Sequence, residues 1–492
     1  MAEWMLRLYD AIAKCSQKFQ LHGLGGFLYN ISRDWLGVSG EVTMHRKMLR
    51  LSRLLSFASN VRPHGELAFP QRGFGCVNHR VNMATKKTDH AYERAFPGQK
   101  LPLLSHGHDF ADACGAYVKE KGFQDAFILA APALFEKTPA LQHLQDTLGS
   151  RIKGSFIGIG PHTPVVDVLE AARQLREVGR VDCLITLGGG SVTDGGKLMR
   201  FFIANGASSE DHVDTLWGNK VVNQKRPTDV KTPEIPLIHI PTTLSGGEFQ
   251  HIAGGTFSAT GIKQLFEPGM EADVIIQDPK LCTTTPSNLW IGSGVRSLDH
   301  CIEALCSLHR TEAGNQAAKK GLEILIPGLL TCKHEPENVE ARSLCQQGLV
   351  HAVSAMCSGV PLGASHAIGH QLGPLGVGHG ETSCVLLPAV CKFNYANNAN
   401  VDQQNECVEI LLKDKKVREL LQAKNVSNPD LGDILDVIIR ELGMPRTLSE
   451  VSVGREQFEK LAENSLQDPW AKTNPVSLTT KVQVMEILSM VA

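Results

Sequence analysis

The run Gly188-Gly189-Gly190-Ser191 constrains this chain more than any other stretch. It follows an apolar, strand-like segment, Asp182–Leu187, and leads into Val-Thr-Asp194-Gly-Gly-Lys197, which reads as the start of a helix. Strand, glycine cluster and helix start in that order form a cradle for an anion. Glycines let the backbone approach closely, and the helix N-terminus presents free N–H groups and the positive end of its dipole. The spacing is not G-x-G-x-x-G. It is not the Gly-Lys-Ser/Thr phosphate loop either, because Ser191 and Leu198 stand where that loop needs a glycine and a hydroxyl. Taken by itself, such a run is equally a tight turn.

The surroundings of the turn set the fold class. Short apolar runs at Ala126–Ala130, Ser155–Ile159, Asp182–Leu187, Leu237–Ile240 and Asp273–Gln277 are predicted strands, and amphipathic stretches such as Asp167–Val178 lie between them. This alternation predicts βαβ units and a parallel sheet. From Asn288 onward the pattern is helical, with a 3.6-residue apolar stripe in Val295–Leu308 and Glu340–Met356. The expected architecture is a Rossmann-like α/β nucleotide-binding domain over 83–286 followed by an all-α domain over 287–492. Residues 1–82 are set aside as an N-terminal extension of unknown role. Within them Met44–Arg62 holds six basic residues, counting His45, and no acidic one. That composition is like a mitochondrial presequence, but the stretch is internal and Glu3, Asp10, Asp34 and Glu41 precede it. A solvated extension and a functional start at Met83 are the other readings.

Composition excludes several classes. A chain of 492 residues has room for roughly two to four domains. With 49 basic and 51 acidic residues the net charge is −2, which argues against a nucleic-acid binder and gives no attraction to anionic membranes. No long apolar run suggests a transmembrane helix. The 13 cysteines are scattered and form no C-x-x-C pair, so neither a zinc ribbon nor a disulfide framework is expected. A reducing, cytoplasmic compartment fits, with a mitochondrial one as the alternative.

The string GGGS-x-x-D-x-x-K resembles the nucleotide loop of the iron-containing (group III) alcohol dehydrogenase superfamily, and further motifs follow in that family's order. Pro241-Thr242-Thr243-Leu-Ser245-Gly-Gly247-Glu248 resembles its second cofactor segment. Lys263 resembles a lysine that contacts the cofactor, and Asp278-Pro279 ends the last strand of the first domain. Gly363-Ala-Ser-His366-Ala-Ile-Gly-His370-Gln-Leu-Gly373 and His379-Gly380-Glu381 resemble its histidine segment. The resemblance spans about 89 to 492 and implies a dehydroquinate synthase-like fold that binds NAD or NADP between its two domains. It places Gly188, Gly189, Gly190 and Ser191 against the pyrophosphate, with Asp194, Lys197, Thr242, Thr243, Ser245 and Lys263 as further cofactor contacts. For Lys197 a solvated surface lysine is the alternative, and His251 is a weaker candidate for the pocket wall. NAD-selective members often carry an Asp after the first strand. Here that position is Ala131, so the 2′-phosphate of NADP meets no repulsion, and NADPH is expected to be tolerated or preferred.

In typical members one Asp and three His hold a divalent metal. The resemblance puts His300, His366 and His379 at three of those positions and Arg296 at the Asp position. Asp299, next to His300, is expected to point about 100° away on a helix. A guanidinium in place of the only anionic ligand predicts no tightly bound metal; the alternative is a register shift that brings in Asp299 and keeps Zn²⁺ or Fe²⁺. One branch, the maleylacetate reductases, lacks the metal. Pro161-His162-Thr163-Pro164 and His379-Gly-Glu381-Thr382 with Val385-Leu-Leu-Pro388 resemble its segments, with departures at Gly380, Ala389 and Arg296. The expected function is a metal-independent NAD(P)H reductase of a carbonyl or activated C=C in a small carboxylate-bearing substrate. Arg296, His300, His366, His370 and His379 are the expected catalytic residues, with His370 as proton donor. A metal-dependent alcohol dehydrogenase and a catalytically degraded relative are the alternatives. A homodimer is expected, since dimers are frequent in the family.

Overall fold

The computed structural model describes residues 92–216 and 229–492; the 1–82 extension and its basic stretch lie outside the described residues. Among the described residues there are nine strands: β1 Glu93–Arg94, β2 Leu103–His106, β3 Ala126–Ala130, β4 Ile152–Ile157, β5 Cys183–Gly188, β6 Leu237–Pro241, β7 Ala253–Thr256, β8 Lys263–Phe266 and β9 Val274–Gln277. Seven form one sheet in the order β1-β2-β9-β6-β5-β3-β4, and β7 and β8 make a separate antiparallel hairpin. Every pairing in the large sheet is parallel except β1 with β2.

The central strands are apolar on both faces because both faces are covered. In β3, Ala126, Ile128 and Ala130 pack on one side with helix α1 (Phe110–Lys121), while Phe127 and Leu129 pack on the other with helices α2 (Val165–Val178) and α3 (Gly190–Ala204). That two-sided burial made β3 and β5 readable as short continuous runs. β1, β2 and the hairpin were not predicted, and β4 begins and ends earlier than the predicted 155–159. From Ser287 on, the described residues are helical. Helix α4 (Ser287–Cys306) is buried along nearly its whole length. It packs with α5 (Glu312–His334), α6 (Val339–Cys357) and α8 (His379–Ala396), while α7 (Ala364–Leu372) packs beside α8. No helix among the described residues is long and apolar enough to cross a membrane. All eleven described cysteines are free thiols.

Candidate active site

β5 brings the glycine run to the carboxyl edge of the sheet, where open α/β sheets bind ligands. Helix α3 starts at Gly190, and its N-cap, Gly189, supplies no side-chain hydrogen bond to the first turn. The early N–H groups of a 15-residue helix are therefore left for an anion. The cradle has no room for side chains. A Cβ on Gly189 would meet Thr243 Cγ2 at 2.9 Å, and one on Gly190 would meet Ser245 Oγ at 2.9 Å. Thr242 N–H donates to Gly188 O at 3.1 Å and closes the wall. The predicted residues Gly188 to Ser191, Thr242, Thr243 and Ser245 thus share one surface.

Lys197 and His251 are engaged within the protein. Lys197 is not solvated; it is 1% exposed, and its ammonium donates to the carbonyls of Gly247, Gln250 and Ile252 while pairing with Asp194 at 2.8 Å. Asp194 also accepts Gly254 N–H at 3.1 Å. Both side chains anchor the 247–254 segment beneath the cradle, and Lys197 has no free donor to offer a ligand. His251 pairs with Glu267 at 3.0 Å and Glu271 at 3.5 Å, so its imidazole is engaged with carboxylates. Lys263, on β8, keeps an ammonium 4.0 Å from Asp194 Oδ2, and burial pushes its pKa down.

Glu248 sits in the same anchored segment, wholly buried, and neither carboxyl oxygen has a hydrogen-bond partner. Burial pushes it up to about 7, against the pull of Lys197. The folded state then binds a proton that the unfolded state gives up near pH 4.5. Stability from this group is full below about pH 4.5 and is lost as pH rises to about 7. Glu248→Gln removes that loss. The melting temperature of the variant is expected to exceed that of the wild type at pH 8, by an amount on the order of 3 kcal/mol of stability, with little difference at pH 5. A difference independent of pH in thermal scans would show that Glu248 ionises without penalty.

On α4, Arg296, Asp299, His300 and Glu303 lie within one face of roughly 100°. Asp299 does lie about 100° from His300, but it still reaches the site, where it meets Glu303 and His366, and the expectation that it stands outside is corrected. Its Oδ2 accepts Ser365 Oγ–H at 2.7 Å and Ser383 Oγ–H at 2.5 Å and lies 3.5 Å from His366 Nδ1. Ser383 in turn accepts from Arg296 Nη1 at 3.0 Å, so guanidinium, hydroxyl and carboxylate form a chain. Arg296 Nη1 lies 3.9 Å from Asp299 Oδ2, and Arg296 Nε is buried with no partner. Sequence reasoning missed Glu303. Its carboxylate accepts Gly363 N–H (2.8 Å), Ser365 N–H (2.9 Å) and His366 Nδ1–H (2.7 Å). Burial pushes both carboxyls up, and for Asp299 the charge of Glu303 adds to the effect. The i, i+3, i+7 spacing of Arg296, Asp299 and Glu303 was the available signal.

The histidines form two stacks. His300 lies on His366, with ring centroids 4.8 Å apart, and His370 lies on His379 at 6.3 Å and 9°. Since Nδ1 of His366 donates to Glu303, its buried Nε2 is a bare acceptor with no partner. His370 Nδ1 meets Asp468 Oδ2 at 2.8 Å, and Trp470 packs against the ring at 5.0 Å; neither residue was foreseen. Burial pushes His300, His366 and His379 well below the ordinary range, and Arg296 adds to it in each case. The charge of Lys263 adds to the effect on His379.

Among the described residues one trio brings metal-ligating atoms together, Asp299, Glu303 and His366, within 4.8 Å of one another. The predicted set His300, His366 and His379 does not converge in this way. Within the trio Asp299 Oδ1 and His366 Nε2 are buried with no partner, while the remaining ligand atoms are engaged. Asp299 Oδ2 and both Glu303 oxygens already accept hydrogen bonds, His366 Nδ1 is one of the donors, and a guanidinium lies beside the pair.

Two family models match the chain: "Iron-containing alcohol dehydrogenase" over residues 103–279, and "Fe-containing alcohol dehydrogenase family, C-terminal" over residues 290–492. "Dehydrogenase FUM7" of Gibberella moniliformis is 35% identical over 424 residues, covering 82% of this chain and 99% of the relative. "Dehydrogenase ALT3" of Alternaria alternata is 38% identical over 371 residues, covering 71% and 94%. The crystal structure of maleylacetate reductase from Rhizobium sp. strain MTP-10005 matches with a TM-score of 0.60 at 25% identity, over 79% of this chain and 95% of that one. With both halves matched in order and relatives of this closeness, the chain belongs to the iron-containing alcohol dehydrogenase family of oxidoreductases.

Proposed function

We propose that this chain is an NAD(P)H-dependent reductase that uses Arg296, rather than a bound ion, to stabilise negative charge on its substrate. The observation that carries the reading is the position of Arg296. It is buried on the face of α4 that meets His366 and the Asp299 carboxylate, with Nε unpartnered. The cofactor would lie with its pyrophosphate at Gly188 to Ser191 and along Thr242, Thr243 and Ser245. Bound there, it supplies a hydride to a carbonyl or activated alkene carbon. A guanidinium fork suits both a substrate carboxylate and the enolate or alkoxide oxygen that develops beside it. In this reading His370, which is oriented by Asp468 and stacked on His379, delivers the balancing proton. Ala131 stands at the N-cap position of the helix after β3, and a Cβ on Gly188 would meet its Cβ at 2.9 Å, so no carboxylate opposes a 2′-phosphate there. A homodimer belongs to the same reading.

A metal-dependent alcohol dehydrogenase is the rival reading, and the 4.8 Å trio is the observation in its favour. It requires the hydrogen bonds on Glu303 to be exchanged for coordination next to Arg296, whereas Asp299 Oδ1 is unpartnered. Steady-state oxidation of NADPH and NADH across 2-oxo acids and α,β-unsaturated di- and tricarboxylates separates the two. The proposal expects turnover of a carboxylate-bearing acceptor that persists after chelation, with kcat/KM for NADPH at least equal to that for NADH. Activity that is lost to a chelator and restored by Zn²⁺ or Fe²⁺ would favour the rival.

A further inference from the structure

His162 and Thr163 are successive non-glycine residues in the left-handed region, at φ 60° and 56°. Each such residue costs on the order of 1 kcal/mol, and a pair persists only where the surroundings over-determine it. They do so here. His162 N–H donates to Ser191 Oγ at 3.1 Å, and Thr163 Oγ1 donates to Ser191 O at 3.1 Å. Thr256 holds the loop from the other side, its Oγ1 donating to His162 O at 2.7 Å and its N–H to Thr163 O at 2.9 Å. Thr163 is fully buried, whereas the imidazole of His162 is only partly so.

The strained loop fixes where that imidazole points. Its Nδ1 lies 3.5 Å from the position of a Cβ on Gly373, the residue that ends the His366–His370 helix. Lys263 is close enough to depress its protonation, second to burial. Neither ring nitrogen has a hydrogen-bond partner among the described residues. The ring is therefore held between the cradle helix, Lys263 and the histidine helix, with its hydrogen-bonding capacity unused.

We propose that His162 is a specificity-determining residue of the substrate pocket that hydrogen-bonds a second carboxylate of the substrate, the first being held by Arg296. A substrate carboxylate at this point accepts a hydrogen bond from the imidazole and lies near the Lys263 ammonium, which is itself 4.0 Å from Asp194 Oδ2. This deepens the reductase reading and rests on it, since that reading supplies the first carboxylate.

The test is binding of maleate to the full-length enzyme saturated with NADP⁺, measured by calorimetry in the wild type, His162→Asn and Arg296→Ala. Asparagine tolerates positive φ, so His162→Asn keeps the loop while removing the imidazole. The expected result is maleate binding at least about tenfold weaker in His162→Asn, with the NADPH dissociation constant unchanged within about twofold. Unchanged maleate affinity in His162→Asn overturns the inference. So does a loss confined to NADPH affinity, which would assign the imidazole to a cofactor phosphate. Weakening in His162→Asn but not in Arg296→Ala upholds the His162 site and sinks the role of Arg296. No maleate binding by the wild type overturns both.

Discussion

Replacing Arg296 by alanine is expected to lower kcat/KM for carboxylate substrates by at least about 10²-fold, the size of effect seen when a preorganised oxyanion donor is removed. The loss has two sources in this geometry. The substrate oxygen loses its cationic partner, and the Asp299–Glu303 pair loses the guanidinium beside it. Arg296→Lys separates them. A lysine keeps the charge but not the planar fork, so it should partly restore thermal stability while leaving kcat/KM low. Arg296→Asp supplies a third carboxyl next to Asp299 and Glu303, and tests whether an anion at this position makes activity depend on an added divalent metal. Steady-state kinetics with and without chelator, beside thermal melts, read all three. An alanine variant with wild-type kcat/KM would remove Arg296 from the mechanism.

The reasons why some of this was legible in the sequence and some was not are physical. β3 and β5 could be read because strands buried on both faces are continuous apolar runs, and the glycine run could be read because close approach admits nothing larger. The histidine helix was visible for the same local reason: His366 and His370 are one turn apart. What failed to show was long-range. Lys197 looks like a ligand contact or a surface lysine until the carbonyls of Gly247, Gln250 and Ile252, 50 to 55 positions away, enclose it. Asp299 was judged by its angle to His300 alone, whereas hydroxyls from Ser365 and Ser383, on two other helices, decide its place. Asp468 reaches His370 across 98 residues. The helical face carrying Arg296, Asp299 and Glu303 was in principle visible, since buried charges at i, i+3 and i+7 rarely occur without a common partner.

Gly380→Ala should be the most damaging of the small substitutions. Gly380 follows His379 at the start of α8, where α8 crosses α4 at Gly292. A Cβ on Gly380 would overlap the Gly292 carbonyl group and lie 2.7 Å from Ser293 N. These obstacles are backbone, so no rotamer change relieves them, and the two helices must move apart. The crossing is coupled to the cofactor wall, because Ser293 Oγ accepts Leu244 N–H at 3.0 Å and Ser297 Oγ donates to Leu244 O at 2.6 Å. Overpacking of this kind costs about 1–3 kcal/mol, and the shift also displaces His379 relative to Arg296, so kcat/KM should fall at least about tenfold. Gly292→Ala is the internal comparison at the same crossing. Its Cβ meets first the Met444 methyl at 3.0 Å, the far end of a flexible side chain, while the Gly380 backbone stays at 3.8 Å. Denaturant unfolding and kinetics on both variants should therefore rank Gly380→Ala well below Gly292→Ala. Equal or reversed losses would mean that the two helices do not meet in the way that positions His379.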